Sequence, residues 1–247
     1  MLRNTFIHLP GIGAQQERSL QAAGITDWHA FLQRKRIKGF SKERLAFCKQ
    51  LLRASHDALV AEDAVFFASL LPSAEHWRSF EAFKDHAAYL DIEISRYQEV
   101  TVVTITDGVQ TKTLVRGVNL RKEELERALR GVKLIVTYNG AAFDIPRLQR
   151  AFGWRWKGLH VDLKTIARRL GYAGGLKEIE KQFGLTRDYE EKLHIQLKGG
   201  DPSLLYRMWR GSGDEHYLQL LLAYNEADAY HLFLLSQKLL RAKALVS

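Results

Sequence analysis

The chain has 247 residues, of which 46% are hydrophobic and 26% are charged, and these values exclude a fibrous or disordered protein and allow one sizeable core with a small appendage. The sequence has no apolar run of membrane-spanning length and no secretory pattern at its start, so we expect a cytoplasmic protein. A single cysteine, Cys48, excludes an internal disulfide and a cysteine-rich zinc module, so any bound metal should have oxygen ligands.

The formal net charge of +9 and the pI near 9.6 indicate a polyanionic partner, either nucleic acid or a membrane surface. Eight basic residues and one acid lie between Arg34 and Arg53, which we call the basic stretch. This concentration favours nucleic acid, with Lys35, Arg36 and Lys38 as candidate contacts. The alternative is a solvated helix face with a basic loop.

The first 60 residues predict a small all-helical element, with helices over 15–23, 28–33 and 41–59. Ahead of them, the segment from Leu9 to Gly13 resembles the hairpin of a helix-hairpin-helix unit. There the backbone amides supported by Gly11 and Gly13 could approach a phosphate, although a purely structural turn explains the segment equally well. Residues 61–86 have no clear periodicity and are expected to be a linker that packs on the main domain, residues 87–247.

The pattern changes to strands at residue 87. Apolar alternation predicts strands over 87–95, 99–106 and 109–115, the last two joined at Asp107-Gly108, a pair typical of two-residue hairpin turns. A helix over 120–130, a strand over 132–138, a helix over 145–152 and a short strand over 159–162 follow. Only helices are predicted after them. This order predicts an α/β fold with a mixed five-stranded sheet flanked by helices.

Carboxylates occur in three of the predicted elements. Asp91 and Glu93 are two apart on the first strand and so share the face opposite to its apolar residues. Such a pair is common on exposed strands, but in a central strand it requires a cleft.

The segment from Thr137 to Leu148 adds a third acid. Its strand ends in Asn139-Gly140, turns, and begins a helix at whose start Asp144 lies, at the carboxyl edge of the sheet where α/β sites usually form. Asp144 could instead serve only as the N-cap of that helix. A fourth acid, Asp228, follows Tyr224 by one helical turn, so the two side chains point the same way.

These motifs resemble those of a known nuclease class. Asp91-Ile92-Glu93, Asn139 with Phe143-Asp144, and Tyr224 with Asp228 are similar to the three motifs of DEDDy-type 3′-to-5′ exonucleases of the ribonuclease-H-like superfamily. Residues 134–148 and 160–163 resemble the proofreading exonuclease domain of family-B DNA polymerases and its stand-alone relatives. The resemblance covers residues 87–241.

The resemblance implies that Asp91, Glu93, Asp144 and Asp228 bind two divalent ions, Mg²⁺ or Mn²⁺, across the terminal phosphodiester, and that Tyr224 orients the attacking water. Asn139 could contact the terminal nucleotide or simply form the turn. The expected partner is nucleic acid with single-stranded 3′ ends, DNA favoured over RNA.

Two rival functions stay open. One is a nucleic-acid-binding protein on a catalytically silent version of the fold, and the other is an endonuclease acting on structured DNA. Asp162 could support the site or cap the next helix, and His231, three residues after Asp228, could reach the site.

Overall fold

The computed structural model describes residues 1–187 and 202–246, which form two compact units. The first, here the helical unit, consists of residues 1–86 with 157–161. The second, the sheet unit, consists of residues 87–156 and the chain from Asp162 onward.

The helical unit contains the three helices that the sequence predicts, followed by further short helical segments. Asp27 and Ser41 cap α2 and α3 by accepting hydrogen bonds from the backbone amides of Ala30 and Arg44. The helices are α1 (Ala14–Ala22), α2 (Trp28–Gln33), α3 (Lys42–Val60), α4 (Ala64–Leu70) and α5 (Phe80–Phe83), with 3₁₀ segments at Leu2–Asn4, Ser73–Ser79 and Lys84–His86.

Residues 61–86, expected to be a linker on the main domain, group instead with the first 60 residues. They hold α4 and α5, and their aromatic side chains are buried in the helical unit. The Phe67 ring stacks on Trp28 with 6.3 Å between centroids and contacts Phe83 at 5.9 Å. Pro72 divides the segment into short helices, so no single periodicity marks them in the sequence.

The five-stranded sheet and its helices have the α/β architecture that the sequence predicts, although residues 159–161 of the edge strand β5 are counted with the helical unit. The strand order is β3-β2-β1-β4-β5, with β1 antiparallel to β2 and parallel to β4. The strands are β1 (Ala87–Ile94), β2 (Val100–Thr106), β3 (Thr111–Val115), β4 (Leu134–Thr137) and β5 (Leu159–Asp162). The helices are α6 (Lys122–Ala128), α7 (Asp144–Phe152), α8 (Leu163–Arg169), α9 (Leu176–Gln182), α10 (Pro202–Ser212) and α11 (Glu215–Leu245).

The hairpin between β2 and β3 differs from the expected two-residue turn. Four residues join the strands, because the Asp107 carboxylate accepts hydrogen bonds from the amides of Val109 and Gln110 and extends the loop. Gly108 has the expected positive φ, 95°, and a Cβ there would lie 2.9 Å from the Phe233 ring of α11. Glycine is therefore required for both backbone and packing.

The long helix α11 packs across β1 and β2 and closes one face of the sheet. Leu221, Leu232 and Leu235 on α11 are fully buried, and the Phe233 ring meets Tyr89 of β1 edge-on at 5.3 Å. This packing fixes α11 against the central strand. Within the described residues, no helix is both long and apolar enough to cross a membrane.

His8 is an unusual member of the helical unit's core. It is 3% exposed beside the Trp28 ring, and neither ring nitrogen has a hydrogen-bond partner among the described residues. Burial lowers the pKa of His8 from 6.5 to about 4. Because the folded-state pKa lies below the unfolded one, protonation favours unfolding as pH falls from 6.5 towards 4.

We therefore expect His8→Leu to reduce the acid sensitivity of the helical unit. Between pH 7 and 4.5, wild type should lose about 2–3 kcal/mol of unfolding free energy through this histidine, and the variant should not. Urea unfolding followed by tryptophan fluorescence at both pH values measures the difference. His29→Gln, at an exposed histidine, is the control. An equal loss in wild type and His8→Leu would contradict the assignment.

Candidate metal centre

The central strand β1 presents the first two acids. Leu90 and Ile92 are buried on one face, so Asp91 and Glu93 lie half-buried on the other. The pairing with β2 slips by one residue immediately after Glu93. This bulge bends the strand at the site, as bulges beside functional sites commonly do.

Helix α11 brings the third acid to β1. Asp228, Asp91 and Glu93 each place a carboxylate oxygen within 4.8 Å of the others. Tyr224 lies one turn before Asp228, half-buried, with the Lys177 ammonium 5.0 Å from its ring centroid. Burial, reinforced by the charges of Asp228 and Glu93, raises the pKa of Tyr224 far above its usual value, so its hydroxyl stays protonated.

The turn after β4 positions the fourth acid. Asn139 has a φ of 67°, in the left-handed region that asparagine tolerates. Its backbone amide donates a hydrogen bond to the Asp162 carboxylate at 2.9 Å. The Ala141 amide donates to the same carboxylate at 3.1 Å, and Asp162 also caps α8 through Lys164. Asp162 thus caps α8, one of the two roles that the sequence left open, and it also holds the turn that leads to Asp144.

Asp144 is the first residue of α7 and not its N-cap, a position held by Phe143. Its carboxyl is buried, and the neighbouring Ile92 amide of β1 acts to lower its pKa. Burial, together with the charge of Asp162, raises the pKa of Asp144 to about 7. Among the residues that the structure describes, Asp144 lies outside the group of three, but its charge still acts on Asp91.

Asp91 is the acid on which the negative charges of the other three acids act together. Burial, followed by the charges of Asp228, Asp144 and Glu93, raises its pKa well above the normal range. The side-chain amide of Asn225 on α11 donates a hydrogen bond to Asp91 Oδ2. Asn225 could not be singled out from the sequence, because one asparagine next to Tyr224 resembles any other polar residue on a helix.

A second group of charged residues adjoins Asp228, and sequence reasoning missed most of it. The Arg187 guanidinium forms an ion pair with Asp228 and a second with Glu180 of α9. His231 Nδ1 lies 3.5 Å from Glu180 Oε1, so this histidine is placed beside Glu180. Burial raises the pKa of Asp228, while the Arg187 charge opposes that rise.

The donor set fits a hard divalent cation. Three carboxylates from two elements converge, and Mg²⁺ and Mn²⁺ prefer oxygen ligands of this kind. Asp91, Glu93 and Asp228 would hold such an ion, and the like-charge repulsion that raises the Asp91 pKa would be relieved by it.

The other candidate residues lie in the helical unit. Gly11 has a φ of 69°, and its carbonyl accepts a hydrogen bond from Arg44 of α3. Gly13, Arg36 and Lys38 line a groove of about 720 Å³ beside α1. Lys35 is exposed but is not among the residues that line it.

The comparisons with known proteins agree with this architecture. A family model described as the RNase_H superfamily matches residues 88–240. Because this match covers more than half of the chain, the protein belongs to the ribonuclease H superfamily. Its members are commonly nucleases that act on nucleic acid with divalent metals, so membership indicates nuclease-type activity. No curated protein and no solved structure was found to match the chain.

The repulsion at Asp91 predicts that Asp91→Asn stabilises the metal-free protein. We expect its melting temperature in EDTA to exceed that of wild type by about 2–4 °C, the shift that 1 kcal/mol produces at this chain length. Millimolar Mg²⁺ should raise the melting temperature of wild type more than that of the variant. Glu123→Gln, at an exposed acid of α6, is the control. Equal wild-type melts with and without Mg²⁺ would contradict the metal centre.

Proposed function

We propose that this protein is a two-metal-ion 3′-to-5′ exonuclease that removes nucleotides from single-stranded ends, with DNA favoured over RNA. The observation that supports it most is the convergence of Asp91, Glu93 and Asp228 within 4.8 Å, one helical turn from Tyr224. Asp144 adjoins this group from the start of α7. These are the acids and the tyrosine that the DEDDy resemblance names.

Each side chain has a distinct part in the proposed reaction. Two divalent ions, when bound, would activate water and stabilise the charge that develops on the phosphate during in-line displacement. Asp91, Glu93 and Asp228 would hold the ions, and Asp144, whose charge acts on Asp91, would complete their shell. The Tyr224 hydroxyl, which keeps its proton, would donate a hydrogen bond that orients the attacking water.

We assign binding of the nucleic-acid backbone to the helical unit. The groove beside α1 is lined by the exposed side chains of Arg34, Arg36 and Lys38 from the basic stretch and by the buried apolar residues Leu20 and Ile37. Basic side chains suit phosphates and apolar side chains suit unstacked bases, so the groove fits a single strand better than a duplex. Asn139 is assigned a contact with the terminal nucleotide.

One of the two rival functions, the catalytically silent fold, is weaker on a specific ground. A catalytically silent protein would have no need to keep four buried or half-buried acids together, because their repulsion disfavours the metal-free fold. A structure-specific endonuclease would use the same metals but cut internally. The two nuclease hypotheses therefore separate by product pattern.

The deciding assay uses single-stranded DNA labelled at its 5′ end. We expect a ladder that shortens stepwise from the 3′ end in Mg²⁺ or Mn²⁺, with no product in EDTA. Asp144→Ala should remove most of the activity while leaving the fold intact, and Glu123→Gln should retain it. Tyr224→Phe should cost an intermediate factor, about 10²-fold, because it loses one positioned contact.

Parallel reactions on matched RNA and on branched DNA test the substrate class. Internal cuts on the branched substrate would favour the endonuclease, and full activity in EDTA would contradict the two-metal proposal.

The groove assignment predicts a change in salt dependence. Binding of the double variant Arg36→Gln/Lys38→Gln to oligothymidylate in EDTA should show a log affinity that depends less steeply on log salt, by about 0.7 per lost phosphate contact. Arg3→Gln, exposed outside the basic stretch, serves as the control. Fluorescence anisotropy over a range of salt concentrations measures the slope. An unchanged slope in the double variant would remove the groove from the binding surface.

A further inference from the structure

A buried charged network lies beside the metal centre, between α9 and α11. Arg187 Nε donates to Glu180 Oε2 at 2.7 Å, and Arg187 Nη2 donates to Glu180 Oε1 at 2.6 Å. The third nitrogen, Nη1, donates to Asp228 Oδ1. The side chains of Arg187, Glu180 and Asp228 are only 7%, 3% and 12% exposed.

The two parallel bonds to Glu180 determine the orientation of the guanidinium. Such a bidentate pair fixes the plane of the fork, whereas a single bond would leave it free to rotate. His231 Nδ1 lies 3.5 Å from Glu180 Oε1, the oxygen that also accepts from Arg187 Nη2. The remaining nitrogen, Nη1, therefore donates its hydrogen bond to Asp228 from a fixed direction.

Stability alone is a poor explanation for this arrangement. Burying an arginine and two carboxylates carries a desolvation penalty that an ion pair often only balances, and a well-packed apolar cluster would do as well. A fixed charge that bonds a metal ligand, by contrast, resembles the outer partners that orient ligands in known metal sites.

We propose that Arg187 is a positioning residue for the metal centre, held by Glu180 and acting through Asp228. By bonding Oδ1, it fixes the rotation of the Asp228 carboxylate and leaves Oδ2 to face a cation shared with Asp91 and Glu93. Glu180, neutralised by Arg187, serves as the anchor of the guanidinium and not as a metal ligand. This inference rests on the proposed metal-dependent function.

A competing role for Arg187, in which it takes the place of the metal at Asp228, predicts the opposite change in metal binding. If Arg187 were an internal cation that competes with the metal for Asp228, removing it would strengthen metal binding. If it positions Asp228, removing it weakens metal binding, because the carboxylate becomes free to rotate away.

The test is Mn²⁺ binding to the full-length protein without nucleic acid, measured by electron paramagnetic resonance of the free ion. We expect Arg187→Gln to bind Mn²⁺ about 10–100-fold more weakly than wild type, the usual effect of losing an outer partner. Arg150→Gln, which removes an exposed positive charge from α7, should bind as wild type does. Unchanged or tighter binding by Arg187→Gln would overturn the proposal.

Three further variants separate positioning from a merely structural role. Arg187→Lys keeps the charge but loses the fork, so its Mn²⁺ affinity should fall between those of wild type and Arg187→Gln. Glu180→Gln should reproduce the loss, and the double variant Arg187→Gln/Glu180→Gln should be no weaker than the worse single variant. Additive losses would show that Glu180 does not act through Arg187. Circular dichroism confirms that each variant is folded.

Failure of this inference is distinguishable from failure of the proposed function. If wild type does not bind Mn²⁺, the metal-dependent function itself is wrong. If wild type and Arg187→Gln bind Mn²⁺ equally, the metal centre stands and only the role of Arg187 is withdrawn.

Discussion

The crowding of carboxylates at the centre of the sheet is the constraint on which the rest of the sheet unit depends. Asp91 shares its surroundings with Asp228, Asp144 and Glu93, and their mutual repulsion adds to the burial that raises its pKa. A fold gains nothing from such a cluster in the absence of a cation. The arrangement therefore favours a positively charged ligand.

The surrounding structure offsets this repulsion in several ways. Asn225 donates to Asp91, the Ile92 amide adjoins Asp144 and acts to lower its pKa, and the Arg187 charge adjoins Asp228. Asp91, Asp144 and Asp228 thus each have a neutral or positive partner supplied by a different part of the chain. These partners also limit how each carboxylate can rotate, so the interactions that make the cluster tolerable orient it for ligand binding.

A different kind of element orients each group of side chains in the site. Strand alternation sets the direction of Asp91 and Glu93, helix periodicity sets that of Tyr224 and Asp228, and a backbone turn sets that of Asp144. The turn is the least regular of these and is correspondingly the most reinforced. Asp162 bonds two of its amides, and a Cβ on Gly140 would lie 2.2 Å from the Thr137 hydroxyl, so that close approach requires glycine.

Much of the fold was predictable because its signals are local. The alternation around Asp91 predicted the central strand, β5 was predicted with its observed bounds, and the superfamily match covers the domain expected from the motifs. Arg187 and Glu180 were not predictable as partners, since their pairing depends on how the chain after α9 packs against α11. The helical segments within 61–86 were missed because each is too short to show a period.

The most direct test of the metal centre is a crystal structure of the protein grown with Mn²⁺, with the ions located by anomalous scattering. We expect two peaks about 3.5–4 Å apart, ligated by Asp91, Glu93 and Asp228, with Asp144 on the second ion. Manganese bound elsewhere, or an Arg187 side chain lying where an ion should be with no manganese peak beside Asp91, would contradict it.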